Sequence, residues 1–344
     1  MEIGIDSFAL AHSPTSGSAF VSDAQRMETL LSEAETADSV GLDVFGVGEH
    51  NRKEFLDASP AIILSAMAAR TKTIRLSSAV TVISAADPVR VFQDFATVDL
   101  ISKGRAEIVA GRGSFVEAYP LFGHQLEDYD ALFAEKLGLL LQLRDATHVT
   151  WGGRFRPALN NQAVYPRPQQ AKLPIWLGVG GTPQSFVRAG TLGIPLMIAI
   201  IGGSFHRFRP LVDLYYQAGK AAGHDQTSLK VGVHAMGFVA ETDVAARDAF
   251  YPGWEEMFKK IGRERGFSQP NRAQFDAMCS PHGAFLIGSP ETVVARVLAA
   301  DKALGGISRL TFQMSTASMA TEAMQQSITL LGQKVAPAVR AALG

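Results

Sequence analysis

Cysteine is almost missing from this 344-residue chain: there is one, Cys279. A lone thiol forms no intrachain disulfide. That excludes a disulfide scaffold and a multi-cysteine zinc site, and it fits a reducing compartment. An excess of charge is missing too. Lys and Arg number 32 against 33 Asp and Glu, a formal charge of -1, which argues against nucleic acid or a membrane surface as the main partner. No apolar run approaches the roughly 20 residues of a bilayer-spanning helix. The most apolar stretch, 193–201, is interrupted by Pro195 and reads as a buried strand. The start, Met1-Glu2-Ile3-Gly4-Ile5-Asp6, has neither the basic leader nor the apolar segment of a secretory signal, so the expected location is cytoplasmic.

What is present is a globular composition, 47% hydrophobic and 19% charged, arranged as short apolar runs alternating with longer amphipathic segments. Strands are predicted over 3–10, 44–47, 74–83, 106–110, 174–179, 196–201, 230–239 and 307–313. Helices fill the gaps: 23–39 with Asp23 as cap, 60–69 with Ser59 as cap and Pro60 in the first turn, a helix opening at Asp87-Pro88, and 128–143. Further helices follow at 184–192, 207–222, from Thr242 or Asp243, from Ser289-Pro290-Glu291, and over 321–343. Two irregular stretches, 147–174 and 266–284, break the rhythm as insertions; the first has the look of a hairpin, and both are candidate lids. Eight strands with crossover helices predict a (β/α)8 TIM barrel, with an open doubly wound sheet as the alternative. No linker or low-complexity tract divides the chain, so residues 1–344 are expected to form one domain.

A barrel places its chemistry at the C-terminal strand ends, and those ends are polar and glycine-rich here. Glu49, His50, Asn51 and Arg52 follow the second strand; Ser84 and Asp87 the third; Gly111, Arg112, Gly113 and Ser114 the fourth; Gly180, Gly181 and Thr182 the fifth. The Gly180-Gly181-Thr182 turn exposes main-chain N–H groups at a helix start and suits a phosphate; it reads equally as a plain turn capped by Thr182. Arg112 suits bidentate phosphate binding, or a surface pairing with Glu117. His50 suits acid–base work, or a hydrogen bond within its loop. A metal at Glu49 and His50 has little support, because His12, His124, His148, His206, His224, His234 and His282 show no ligand spacing.

The order of these pieces resembles the bacterial luciferase-like, flavin-dependent monooxygenase family. The resemblance is carried by 41–50 (GLDVFGVGEH), 74–80 (IRLSSAV), 87–90 (DPVR), 96–105 (ATVDLISKGR), 109–113 (VAGRG), 165–168 (YPRP) before 174–176 (PIW), and 288–293 (GSPETV). It spans essentially the whole chain. It implies an FMN-binding barrel in which Ala79-Val80 packs on the flavin face through a non-proline cis peptide. It implies that Arg112 and Gly113 lie at the phosphate or flavin edge, that Gly180, Gly181 and Thr182 hold the phosphate, and that His50 stands at the reactive centre. Asn51 replaces the second histidine often found there, and Gly111 replaces a cysteine of the light-emitting luciferase, which disfavours light emission.

The resemblance therefore implies a monooxygenase using reduced FMN and O2 on a small organic substrate, with reduced flavin delivered by a separate flavin reductase and the chain acting as a homodimer. The alternatives are a deazaflavin-dependent hydride-transfer enzyme on the same fold and, further off, a non-catalytic flavin-binding protein.

Overall fold

The first and last strands of the alternation lie side by side. In the computed structural model, which describes residues 1–11, 21–266, 269–316 and 319–344, β1 (Glu2–Ser7) runs parallel to β8 (Arg309–Gln313), with Asp6 opposite Gln313. From β1 the ring passes through β2 (Val44–Val47), β3 (Arg75–Ser78), β4 (Ala106–Gly111), β5 (Ile175–Val179), β6 (Leu196–Ile200) and β7 (Val231–Val239). β7 pairs with both β6 and β8, so no edge is left unpaired. The result is a closed (β/α)8 barrel, not an open sheet.

Strand alternation sorts the side chains. On β7, His234 and Met236 line the barrel interior, whereas Val231, Val233 and Ala235 join the apolar layer under the helices. That layer runs from Ile3 in β1 to Val339 in the last helix.

The helix starts follow their local chemistry, with two departures from the sequence reading. The first helix, Asp23–Ser39, is capped by Ser22 and not by Asp23: the Ser22 hydroxyl accepts from the Gln25 N–H while Gln25 reaches back to the Ser22 N–H. Ser59 makes no side-chain cap before Pro60–Arg70. Asp87 caps Pro88–Ser102, Thr242 caps Asp243–Arg265 and Ser289 caps Pro290–Leu304 as the spacing suggests.

The third strand is not continuous. β3 ends at Ser78, the Ala79–Val80 peptide is cis, and Thr81–Val82 then pairs with the end of β4. Across this break the Ser78 hydroxyl accepts from the Val109 N–H at 3.0 Å. The 147–174 stretch holds an antiparallel hairpin, His148–Trp151 with Leu159–Ala163. The 266–284 stretch is not wholly irregular: Asn271 caps a helix over Arg272–Met278. A strand that the sequence reading overlooked, Leu286–Gly288, pairs beside the end of β7; three residues are too few to show a period. No helix among the described residues is long and apolar enough to cross a membrane.

Candidate active site

A cavity of about 650 Å³ opens at the C-terminal ends of the strands and reaches into the barrel. That size is ordinary for a small-molecule site, roughly 300–1,000 Å³. Its bed is built on β3, β4 and β5. Val80 lies against Gly111 and Gly178; a β-carbon at Gly111 would stand 2.5 Å from Val80 Cγ2, and one at Gly178 2.8 Å from Val80 Cγ1. These two glycines are what let the Val80 side chain seat across the strand ends. Ala79 and Val80 keep surface open to the cavity, and Gly113, with φ of 76°, turns the chain out beside them.

His50 sits on the cavity wall at the end of β2, one of the sequence-predicted residues brought to the bed. Its Nδ1 lies 2.9 Å from Asp57 Oδ2, and its own N–H donates to Asp57 Oδ1 at 3.0 Å. A carboxylate only accepts, so Nδ1 donates and Nε2 is left toward the cavity, with no partner among the described residues. The ring stacks on Phe55 with centroids 4.2 Å apart and meets Phe8 at 4.9 Å. Burial pushes the Asp57 carboxyl above its ordinary value, against the hydrogen bond and charge of His50. Glu49, next in sequence, faces the same cavity. Burial pushes its carboxyl up to about 7, the Val82 N–H donating to it at 2.9 Å opposes this, and the Asp57 charge adds to it.

Gly180, Gly181 and Thr182 form an exposed turn on the rim above β5. Thr182 occupies the cap position of Pro183–Leu192, but its hydroxyl makes no cap hydrogen bond, so the plain-turn reading lacks its main support. The N–H groups of Gly181 and Thr182 make no backbone hydrogen bond among the described residues. Arg112 points to this turn: it donates to Ser185 Oγ at 2.9 Å and to Asp130 at 2.6 Å, over the rings of Tyr129 and Phe133. Glu117, the partner expected from sequence, instead pairs with Arg52 at 2.8 Å.

The cover of the cavity is also not where the insertions suggested. Met257, Phe258 and Ile261 from the helix Asp243–Arg265 line it, and no residue of 147–174 or 269–284 does among those described. Ion pairs fasten the helix: Arg52, which also pairs with Glu117 and Glu54, holds Glu264 at 2.6 Å, and Lys260 of the helix pairs with Glu54.

Sequence reasoning missed one group of site residues. Asp6 of β1, His234 of β7 and Thr311 of β8 converge inside the barrel: His234 Nδ1 is 2.6 Å from Asp6 Oδ2, and the Thr311 hydroxyl donates to the same oxygen. A histidine at an inward position of a barrel strand was the available signal. No group of three or more metal-ligating side chains occurs among the described residues, and His12 lies outside them.

With the geometry in place, comparison with known proteins gives a direct answer: the family model described as luciferase-like monooxygenase matches residues 1–306. The chain belongs to the luciferase-like monooxygenase family. It is 30% identical to protein y4wF of Sinorhizobium fredii over a stretch covering 47% of this chain and 48% of that one, so the match spans about half of that relative's length. Among solved structures, monooxygenase RslO1 from Streptomyces bottropensis superposes with a TM-score of 0.84 at 24% identity, covering 98% of this chain and 99% of that one. The oxygenating constituent of 3,6-diketocamphane monooxygenase from Pseudomonas putida, in complex with FMN, gives 0.79 at 20% identity with 98% of each chain covered. An F420-dependent secondary alcohol dehydrogenase with an F420-acetone adduct gives 0.77 at 18%, covering 98% and 99%. At these identities the structures show the shared barrel, which is bound to FMN in the one and to an F420 adduct in the other.

Proposed function

We propose that the chain is an FMN-dependent monooxygenase that takes reduced flavin and O2 and oxygenates a small organic substrate. One observation carries the reading: the Ala79–Val80 bed, the His50–Asp57 pair and the uncapped Gly180-Gly181-Thr182 turn with Arg112 beside it share one cavity on one rim. These residues fit the cofactor. Main-chain amides at Gly180 and Gly181, the Thr182 hydroxyl and the donors of Arg112 not already used would hold the phosphate. Ala79, Val80 and Gly113 would bed the ring system.

Bound reduced flavin supplies the electrons and the activation of O2. The protein's part is placement. Asp57 fixes the His50 ring, so that Nε2 takes or gives a proton at the cavity wall. Phe8, Phe55 and Phe115, whose rings pack around His50, keep water away from that nitrogen. The same proposal has a separate reductase delivering the flavin to a cytoplasmic homodimer whose subunit is a single domain, the last point supported by one apolar core that joins β1 to the final helix.

The F420-bound relative supports a second reading, hydride transfer from a deazaflavin without oxygen. Titration of FMN and of F420 into the purified protein separates the two. The proposal expects saturable FMN binding, and uptake of O2 with one atom of 18O entering the product when reduced FMN is supplied. Binding of F420 alone, with no O2 uptake, would replace it with the second reading; no flavin binding at all would leave a protein that is not a flavoenzyme. His50→Ala should slow turnover far more than it weakens FMN binding, and equal losses in both would remove its catalytic role.

A further inference from the structure

The flavin bed and the buried Asp6–His234–Thr311 group occupy opposite arcs of the barrel. The bed uses β3, β4 and β5; the group uses β7, β8 and β1, and β7 stands four strands from β3 in either direction around the ring. The monooxygenase reading gives the first arc to the cofactor. It leaves the second arc to the substrate, and that arc has a defined polarity.

Asp6 is seated there by a missing side chain. A β-carbon on the facing Gly46 would fall 1.9 Å from Asp6 Oδ1, so only glycine lets the carboxylate occupy this place. Asp6 Oδ2 accepts from the Thr311 hydroxyl and from His234 Nδ1. In a neutral imidazole, a donating Nδ1 leaves Nε2 as an acceptor. His234 Nε2 has no partner among the described residues, and the ring edge lines the cavity. Much of the wall around it is apolar and partly aromatic: Phe8 stacks on His234 with centroids 5.6 Å apart, and Met197, Met236 and Phe258 line the cavity with it. An acceptor edge in such a wall, His234 flanked by Asp6, Thr311 and Gln313, selects a flat apolar body carrying a good donor. A phenol is such a molecule: its ring fills the aromatic wall, and its hydroxyl is a stronger donor than an alcohol. His50 stands at the end of β2 beside the bed, with Phe8 packed against both it and His234.

We propose that His234, oriented by Asp6, accepts the hydroxyl of a phenolic substrate held across the cavity from the flavin bed. The inference rests on the monooxygenase reading for its occupant of the other arc. Where the phenol ionises, the O–H proton passes to His234 Nε2 and the resulting imidazolium is held by the Asp6 carboxylate. No electron moves in that step and no other reactant is needed. His234 touches the substrate; Asp6 is a positioning residue that acts through it.

The test compares two probes, 2-naphthol and its methyl ether 2-methoxynaphthalene, by fluorescence titration of the intact protein, with FMN titrated separately. The wild type should bind naphthol about tenfold more tightly than the ether, the size of one well-made hydrogen bond to a buried acceptor. His234→Leu should abolish that preference and leave the ether within about twofold of its wild-type affinity. Asp6→Asn allows the other tautomer, and should lower the preference while sparing the ether; a merely structural Asp6 would weaken both probes together. Equal affinity for the two probes in the wild type overturns the proposal, as does no saturable binding of either, or a preference that survives His234→Leu. The wild-type comparison stands even if a variant fails to fold. Loss of FMN binding with the naphthol preference intact would overturn the cofactor reading and keep His234 as a hydroxyl site.

Discussion

Glu49 is a carboxyl in the cavity wall whose pKa is raised from the ordinary 4.5 to about 7, mainly by burial. The sign of its effect on stability follows by linkage. The folded protein holds this proton more tightly than the unfolded chain does, so the stabilisation is complete below about pH 4.5 and is lost as pH rises through about 7. At 1.36 kcal/mol per pH unit, the interval between the two values corresponds to about 3 kcal/mol, and water entering the cavity trims this toward about 2 kcal/mol. Unfolding entropy of about 2.1 cal/mol/K per residue gives roughly 0.7 kcal/mol/K for a chain of this length. The expected displacement is then about 3–4 °C in Tm. Glu49→Gln keeps the shape and a group able to bond the Val82 N–H, but it does not titrate. Thermal unfolding of both proteins at pH 5, 6, 7 and 8 should show the wild type losing about 2–3 °C more than the variant between pH 5 and 8, the remainder of the loss falling below pH 5. Asp57 titrates in both proteins, so the difference curve reports Glu49 together with its coupling to Asp57. Parallel Tm curves across that range would refute the argument that the Glu49 carboxyl keeps its proton near neutrality.

Three further outcomes follow from single contacts. Gly111→Ala places a β-carbon 2.5 Å from Val80 Cγ2, so it should cost about 1–3 kcal/mol by denaturant unfolding and weaken FMN binding with it. Unchanged FMN affinity would separate the bed from the cofactor. Arg112→Ala should weaken FMN binding roughly 10- to 100-fold and leave riboflavin, which has no phosphate, near its wild-type affinity; equal losses would move Arg112 away from the phosphate. Arg52→Ala removes the pair to Glu264 of the helix Asp243–Arg265, together with the pairs to Glu54 and Glu117 that brace Arg52. Hydrogen exchange in that helix should rise several-fold while the β-strands stay protected, and an unchanged helix would show that its apolar residues and the Lys260–Glu54 pair hold it down without Arg52.

What the sequence revealed and what it hid divide along one physical line: how far apart in the chain the cooperating residues lie. Periodicity and turn chemistry are local, so the eight strands, most helix starts and the glycine-rich strand ends were readable, and the barrel followed from their order. The same locality explains the errors. A β-branched run over 74–83 looks like one strand, because nothing in its pattern marks the Ala79–Val80 peptide just after β3 ends at Ser78. Charge alone pairs Arg112 with nearby Glu117, yet the fold turns Arg112 toward Ser185 and Asp130 and gives Glu117 to Arg52. The lid went to the irregular segments, since long loops are often lids, while the cavity is covered by a regular helix whose Met257, Phe258 and Ile261 look like ordinary core positions. The farthest case is Asp6 with His234, 228 residues apart. They meet because β1 and β7 both neighbour β8, with Asp6 opposite Gln313, and His234 opposite Thr311. A strand register of that kind is fixed only when the ring closes, so a reader of the sequence could place His234 on the inner face of a strand without learning which carboxylate holds it. For this barrel, the half of the site that beds on glycines is written locally, and the half built from Asp6, His234 and Thr311 is written in the closure.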